Sequence, residues 1–255
     1  MVRRHTWDLL EDVLGNTLQW DSRLWLTLKL LFLRPGQLAR DWIEGKRARY
    51  VPPFRLYIIA SFILFLLLGT FAGRNMDRNP TGPETPAVVS IDENSEQSLD
   101  EAIEEARADG NHITEAFLVG ARKALENPRE FRSRIFKSLP KAAFLLLPAF
   151  ALLHMLVNIR RERFYIDYLV FSLHLHAFAF MVIAVIFVLG LISHFLDNAS
   201  ELLALVIPVY VAVGFKTFSG QGWGKSILKA ILVMGAYLVV LLAGIVLFFV
   251  VILIF

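Results

Sequence analysis

Five long runs of apolar residues interrupt an otherwise polar chain, at about residues 56–72, 142–159, 168–195, 202–215 and 227–255. A helix crosses the ~30 Å hydrocarbon core of a bilayer with roughly 20 mostly apolar residues. The first run contains no charged residue, and the third contains none apart from histidine. The pattern therefore predicts an all-α, polytopic membrane protein with five transmembrane helices.

The segment before the first apolar run is basic and amphipathic. Within residues 1–53, apolar residues recur at helical spacing over 22–33, and basic residues lie on the opposite face. A helix of this kind lies in the membrane interface with its apolar face toward the acyl chains. The Pro35-Gly36 pair ends this helix, and a second interfacial helix is expected over 37–44.

The remaining chain divides at the apolar runs. The first transmembrane helix is predicted over 54–72, and the last four form a transmembrane bundle over 142–255. Between them, residues 73–141 are hydrophilic, and a capping box at 98–101 predicts helices up to about residue 139. We expect this acidic helical insert to lie outside the membrane.

Charge is distributed unequally along the chain and predicts its orientation. Residues 1–55 hold ten Lys and Arg against six Asp and Glu, whereas 74–126 hold five against twelve. Because Lys and Arg concentrate in cytoplasmic segments, we expect the N-terminus in the cytoplasm and both the insert and the C-terminus outside. Five basic residues between 129 and 141 oppose this bias, but they belong to a long loop, where the rule weakens.

Composition narrows the classes of function. Of 255 residues, 56 % are hydrophobic and none is cysteine, which excludes disulfides and thiolate metal sites. The sequence contains no acyl-transfer elbow, no paired catalytic carboxylates and no dinucleotide fingerprint, so a non-enzymatic protein is favoured. The basic residues flank the membrane spans, which argues against nucleic-acid binding.

The stretch 27–57 resembles the bacterial membrane family catalogued as domain of unknown function 3667. The shared elements are Arg34-Pro35-Gly36, Gly45-Lys46-Arg47, Tyr50, Pro53 and Arg55-Leu56-Tyr57. The resemblance implies a multi-pass protein of the bacterial inner (cytoplasmic) membrane. Many members also carry an N-terminal zinc ribbon, and the lack of cysteine leads us to expect no such module here. More loosely, five spans after a cytoplasmic segment look like the Yip1-type membrane proteins.

Five basic residues crowd the cytoplasmic end of the first span and form a candidate contact with anionic lipid: Arg34, Lys46, Arg47, Arg49 and Arg55. Each basic residue near a charged leaflet contributes about 1 kcal/mol. The Gly and Pro placements indicate a defined turn at which backbone amides can approach a phosphate. The alternative is that these residues serve only as a topology signal.

Four polar residues in the second and third spans form a candidate substrate or proton pocket: His154, Asn158, Asp167 and His174. Ionisable groups at membrane depth are costly and face the bundle interior. Because the two spans are antiparallel neighbours, we expect His154 and His174 to approach each other, and His176 to face elsewhere. No cofactor is predicted, and zinc is the alternative, held by His154, His174 and Asp167. Hydrogen bonds that only fix helix packing are the other interpretation.

These features leave three classes of function open. The first is a non-enzymatic inner-membrane protein that handles a lipid, an ion or a small solute through the polar cytoplasmic half of its bundle. The second is a membrane-embedded metal-dependent enzyme that uses the histidines. The third is a scaffold that recruits partners through 73–141. The expected partners are the bilayer and its anionic phospholipid headgroups, and a homo-oligomer is left open.

Overall fold

A computed structural model describes the backbone of residues 22–78, 93–192 and 197–254, and the side chains of 22–70, 97–189 and 205–254. Most of these residues are helical, and no β-strand is present among them. The helices are α1 (22–33), α2 (Gln37–Ile43), α3 (Pro53–Arg78), α4 (Glu93–Ala108), α5 (His112–Glu126), α6 (Pro128–Val157), α7 (Tyr165–Ile192), α8 (Asp197–Ser219) and α9 (Trp223–Ile254). A 3-10 turn lies at Arg47–Arg49. The beginning of the predicted N-terminal segment, residues 1–21, lies outside the described residues.

Four helical stretches are long and apolar enough to cross a membrane: Arg47–Thr70, Pro128–Val157, Tyr165–Leu189 and Trp223–Ile254. The described part of α8 adds a shorter apolar stretch, Leu205–Ser219. The all-α class and the presence of several membrane-spanning helices are therefore confirmed by length and composition. The structure thus has four candidate membrane-spanning helices among the described residues, whereas the sequence predicts five spans.

The helices begin and end where local chemistry requires it. After α1, the turn at Arg34-Pro35 leads to Gly36, whose φ of 78° is a left-handed conformation that glycine adopts without a steric penalty. Helix α3 begins at Pro53, where the missing N–H of proline costs nothing. At the start of α5, the side chain of Asn111 accepts a hydrogen bond from the backbone N–H of Thr114 at 3.2 Å.

The chain divides into two compact units. The first comprises Met1–Leu64 and Leu147–Tyr237, and the second comprises Phe65–Leu146 and Leu238–Phe255. The core of the first unit is built from large apolar and aromatic side chains on α1, α3, α6, α7 and α8, and from small ones on α2 and α9: Leu31, Ala39, Leu56, Phe150, Phe171, Phe178, Phe215 and Ala230. A stacked pair, Phe178 and Tyr210, joins α7 to α8 with ring centroids 3.5 Å apart.

Helix α2 packs on α7 and α8, and its position depends on a contact between two glycines. A Cβ added to Gly36 would lie 2.5 Å from the carbonyl oxygen of Gly214, so only glycine permits this approach. A Cβ on Gly214 would in turn meet the ring of Phe171 at 3.3 Å. The segment from α1 to α2 is thereby seated on the α7–α8 pair, whereas its predicted place in the membrane interface stays a prediction.

The second unit contains the helical insert. Helices α4 and α5 pack as a pair around the buried Ile103 and Ala106, and ion pairs of Arg122 with Asp100 and of Arg107 with Glu115 join them. Residues 128–141 were expected to close this insert. They instead form the first half of one continuous helix, α6, which runs on into the second apolar stretch.

We predict that Gly36→Ala lowers the free energy of unfolding by about 2–5 kcal/mol, because left-handed strain of about 1–2 kcal/mol adds to overpacking of about 1–3 kcal/mol. Gly45→Ala is the matched control, since Gly45 has a φ of 85° but nothing within 4 Å of an added Cβ. Denaturant unfolding of the purified protein in detergent measures both. Equal losses for the two variants would show that the approach to Gly214 contributes nothing.

Candidate functional site

Asp41 is the buried centre of a hydrogen-bonded turn in the segment that carries the basic residues. Its carboxylate accepts hydrogen bonds from the Tyr50 hydroxyl at 2.5 Å and from the Gln37 amide at 2.8 Å, and the Lys46 ammonium lies 3.4 Å away. On α1, the Thr27 hydroxyl accepts a hydrogen bond from the Val51 backbone N–H at 3.0 Å. These hydrogen bonds hold the chain from α1 to the start of α3 in a fixed arrangement.

The five predicted lipid-contact residues differ in whether acidic groups of the protein neutralise their positive charge. Lys46 pairs with Glu44 at 2.6 Å and with Asp41, so acidic groups compensate its charge. Arg47 donates a hydrogen bond to the Trp42 carbonyl at 3.3 Å. Arg34 and Arg49 are exposed, and no ion-pair partner for either is present in the part of the chain that the structure describes. Arg55 lies at the start of α3.

The hydrogen bonds to Asp41 set its ionisation. Burial raises the pKa of the Asp41 carboxyl, but the hydrogen bonds from Tyr50, Gln37 and Lys46 outweigh burial and hold its pKa below the usual value. The hydrogen bonds that Lys46 donates to Glu44 and Asp41 raise the pKa of Lys46. The turn is therefore held together by an ionised carboxylate at neutral pH.

His154, on α6, is fully buried in an aromatic box formed by α6, α7 and α8. Its ring stacks on Phe215 with centroids 4.1 Å apart, and four further rings lie within 6.4 Å: Phe150, Tyr168, Phe171 and Phe218. Among the described residues, neither ring nitrogen of His154 has a hydrogen-bond partner, and neither does the hydroxyl of the buried Tyr168. Most buried polar atoms are paired, so unpaired ones require an explanation.

Cations lie beside the aromatic box. The guanidinium of Arg163 sits over the Phe218 ring, 4.4 Å from its centroid, and donates a hydrogen bond to the Phe218 carbonyl at 2.9 Å. Its other terminal nitrogen is buried and has no partner among the described residues. Lys229, on α9, donates to the Asn158 side chain at 2.7 Å, and Asn158 donates to the backbone carbonyl of His154 at 2.9 Å. We call His154, Asn158, Arg163, Tyr168 and Lys229 the polar cluster.

The other predicted pocket residues, His174 and Asp167, make hydrogen bonds of their own. His174 and His176 are both buried on α7, and each ring bonds to a backbone carbonyl one turn earlier in its own helix. His176 also pairs with the Tyr237 hydroxyl on α9 at 2.9 Å. The side chain of Asp167 accepts a hydrogen bond from the backbone N–H of Phe164 and caps the start of α7. The structure thus joins His154 to Asn158 and gives Asp167 a capping bond.

The ligand set named for a metal ion finds no support in the described residues. They contain no group of three or more His, Asp or Glu side chains that could hold a metal ion. The ring of His154 faces aromatic carbon on several sides, and Asp167 is engaged at a helix start. The donors His154, His174 and Asp167 therefore do not fit a zinc site.

Sequence reasoning missed Asp41, Arg163, Tyr168 and Lys229. The sequence marks two of these residues as unusual. Lys229 is a charged residue inside the last apolar run, and Asp41 is an acid surrounded by basic residues. The sequence does not mark Tyr168 and Arg163, because their role depends on the aromatic rings that surround them in the fold.

Comparison with known proteins identifies one family. The family model described as protein of unknown function (DUF3667) matches residues 21–65. The resemblance predicted from 27–57 is therefore confirmed over that segment, which contains Asp41 and all five basic residues of the candidate lipid contact. No curated protein and no solved structure matches the chain. The likeness to Yip1-type proteins is unconfirmed.

We predict that Asp41→Asn lowers the free energy of unfolding at pH 7 by about 1.5–3 kcal/mol, since a charged acceptor of several hydrogen bonds is lost. Because the folded pKa of Asp41 lies below its unfolded value, its stabilisation is present above about pH 4 and is lost as the pH falls through the folded pKa. Thermal unfolding between pH 3 and 7 should therefore show a weaker acid dependence in the variant. Glu162→Gln, at an exposed position outside this turn, serves as control, and an identical profile for Asp41→Asn and the wild type would refute this.

We predict opposite effects on stability for two buried histidines. His154→Phe should raise the free energy of unfolding by about 1 kcal/mol or more, because it removes unpaired polar atoms from an aromatic box. His176→Phe should lower it by about 1–3 kcal/mol, because the Tyr237 hydroxyl loses its partner. Unfolding of both variants in the same detergent tests this. A loss of stability for His154→Phe would assign that residue to packing.

Proposed function

We propose that the chain is a five-span inner-membrane protein with a cytoplasmic N-terminus, and that its fifth span is α8. Helix α8 covers 23 residues, about 35 Å, which is enough to cross the hydrocarbon core. Its Lys216, the Arg160–Arg163 turn and Lys225 would then all lie on the cytoplasmic side with the basic N-terminal segment, as the distribution of Lys and Arg requires. The C-terminus and the α4–α5 pair would lie outside.

We infer that the polar cluster of this protein binds an anionic group from the cytoplasmic side. One observation carries this inference: His154, Tyr168 and Arg163 hold buried polar atoms with no partner among the described residues. Arg163 and Lys229 lie beside them, and neither has an acidic partner among those residues. The Arg163 cation is partly buried and has one fully buried nitrogen, so an opposite charge stabilises it, and an anion would satisfy the donors of Arg163 and Tyr168 together.

The basic residues near α2 supply the second part of the proposed function, which is contact with anionic phospholipid headgroups. Arg34, Arg49 and Arg55 carry this role, and Arg47 adds its remaining donors. Lys46 contributes least, because Glu44 and Asp41 already neutralise it. The anion at the polar cluster is either a lipid headgroup or a small solute, and the two share the same oxyanion chemistry.

The scaffold alternative has one observation in its favour. Within the second unit, a groove of ≈730 Å³ lies between α5, the first half of α6 and the end of α9. It carries both signs of charge, with Glu115 and Glu130 near Lys123 and Arg134. A groove of this size accommodates a short polar segment of another protein, so a scaffold role through the insert is kept as the second candidate.

We predict that Arg163→Gln weakens binding of an anion about 10-fold to 100-fold, which corresponds to the loss of one charge-assisted contact of about 1.5–3 kcal/mol. The measurement is calorimetric titration of the full chain in uncharged detergent, with glycerol 3-phosphate in one arm and dioleoylphosphatidylglycerol in mixed micelles in the other. The arm that responds distinguishes a solute from a lipid. Arg160→Gln is the matched control, because Arg160 lies exposed in the same turn.

If Arg163→Gln binds both probes as tightly as the wild type does while remaining folded, the polar cluster is not an anion site. If Arg160→Gln weakens binding equally, the effect is one of general charge in the turn and the specific role of Arg163 is excluded.

A further inference from the structure

An apolar groove lies between the end of α1 and the pair α7 and α8. Leu33 and Pro35 form one wall, and side chains of α7 and α8 form the other, among them Phe178, Val206 and Val213. The floor is aromatic, because Phe32 packs edge-on against Phe178 and Phe178 stacks on Tyr210. The groove has a volume of ≈460 Å³, and its polar surface is small.

The groove is long enough for part of a hydrocarbon chain. Along α8 it runs from Val206 to Val213, which is about 10 Å at the rise of an α-helix. Its apolar lining suits an acyl chain that lies along the helices.

The groove begins close to the level of the lipid headgroups. Val213 lies six residues before the end of α8 at Ser219, about 9 Å along the helix axis. Between them, the Lys216 ammonium lies 3.8 Å from the centroid of the Trp223 ring, and Trp and Lys mark the interface in membrane proteins. The groove then extends from this level toward the middle of the bilayer.

A cationic residue belongs to the chain segment that forms one wall of the groove. Arg34 stands between Leu33 and Pro35, both of which line the groove, and its side chain is exposed. Gly36, two residues further along, meets Gly214 beside the lining residue Val213, so the Arg34 backbone lies near the Val213 end of the groove. No acidic group among the described residues pairs with Arg34. Since long cationic side chains extend toward the interface, an apolar groove with such a cation near one end complements a molecule with one anionic end and one hydrocarbon end.

We propose that this groove holds one acyl chain of an anionic phospholipid whose phosphate lies on Arg34. The proposal rests on the contact between Arg34 and anionic headgroups stated above, and it adds a defined site for the chain. The site is separate from the polar cluster, since none of the groove residues belongs to it. The protein thereby binds one lipid specifically, beyond the general attraction of a basic surface to the leaflet.

The test is native mass spectrometry of the full chain in uncharged detergent, titrated with dioleoylphosphatidylglycerol, dioleoylphosphatidylcholine or glycerol 3-phosphate. Val209→Phe narrows the groove at an exposed position and should weaken the first binding event for both lipids. Leu228→Phe, at a similarly exposed position of α9, should not. Arg34→Gln should remove the roughly fivefold preference for the anionic lipid that a contact of about 1 kcal/mol provides. Lys29→Gln, the same change of charge on α1, should keep it.

Each variant is also made together with Arg163→Gln. If the effects of Val209→Phe and Arg34→Gln persist there, they support the lipid site even where the anion site at the polar cluster fails its own test. Wild-type binding by Val209→Phe would exclude the acyl chain from the groove, and an unchanged preference in Arg34→Gln would exclude the headgroup contact. Glycerol 3-phosphate that binds as tightly as the lipid would indicate a free-phosphate site. A change of oligomeric mass in Val209→Phe would indicate a second copy as the occupant.

Discussion

The arrangement of the first unit depends on the close approach of Gly36 to Gly214. Because neither residue carries a side chain, the turn after α1 reaches the backbone of α8, and α2 comes to lie on α7 and α8. The same approach places Gly214 against Phe171, which is one of the rings around His154. The segment matched by the family model and the aromatic box therefore share a wall, and a change in one displaces the other. Close packing makes such a wall stiff, since cores do not deform continuously.

Polar side chains inside the first unit fall into two groups. Asp41, Thr27 and His176 are buried and satisfied by defined partners, so packing and turn geometry account for them. His154 and Tyr168 are equally buried but have no partner among the described residues. An unpaired buried polar atom costs about 1–3 kcal/mol, and an apolar ring of similar shape at position 154 would avoid that cost. Stability alone therefore does not explain a histidine in this box, and this is the ground for the binding role proposed above.

Apolar periodicity and length were sufficient to predict the long apolar helices, because burial in a membrane imposes a pattern that the sequence displays directly. They did not predict that Pro128–Val157 is one continuous helix. The break at Arg34-Pro35-Gly36 and the start of α3 at Pro53 followed from backbone chemistry alone. The predicted pocket of His154, Asn158, Asp167 and His174 stays a prediction. The structure places Asn158 against His154 and adds Lys229, which lies 71 residues further along the chain than Asn158. Which rings surround His154 depends on how three helices meet, and no local pattern encodes that. The pairing of Lys46 with Glu44 and Asp41 also needed the folded turn.

The charges at one end of the first unit connect its two proposed sites. Lys46 is neutralised by acids of its own turn, whereas Arg34, Arg163 and Lys229 have no acidic partner among the described residues. Arg163 is partly buried, and its cation is placed over an aromatic ring, which compensates a cation only in part. In the proposed orientation these cations would lie at the cytoplasmic leaflet, where they would attract phosphate groups, and the low dielectric beneath would strengthen that attraction. The two proposed anion sites would then take their positive charge from the protein and their negative charge from the membrane or the cytoplasm.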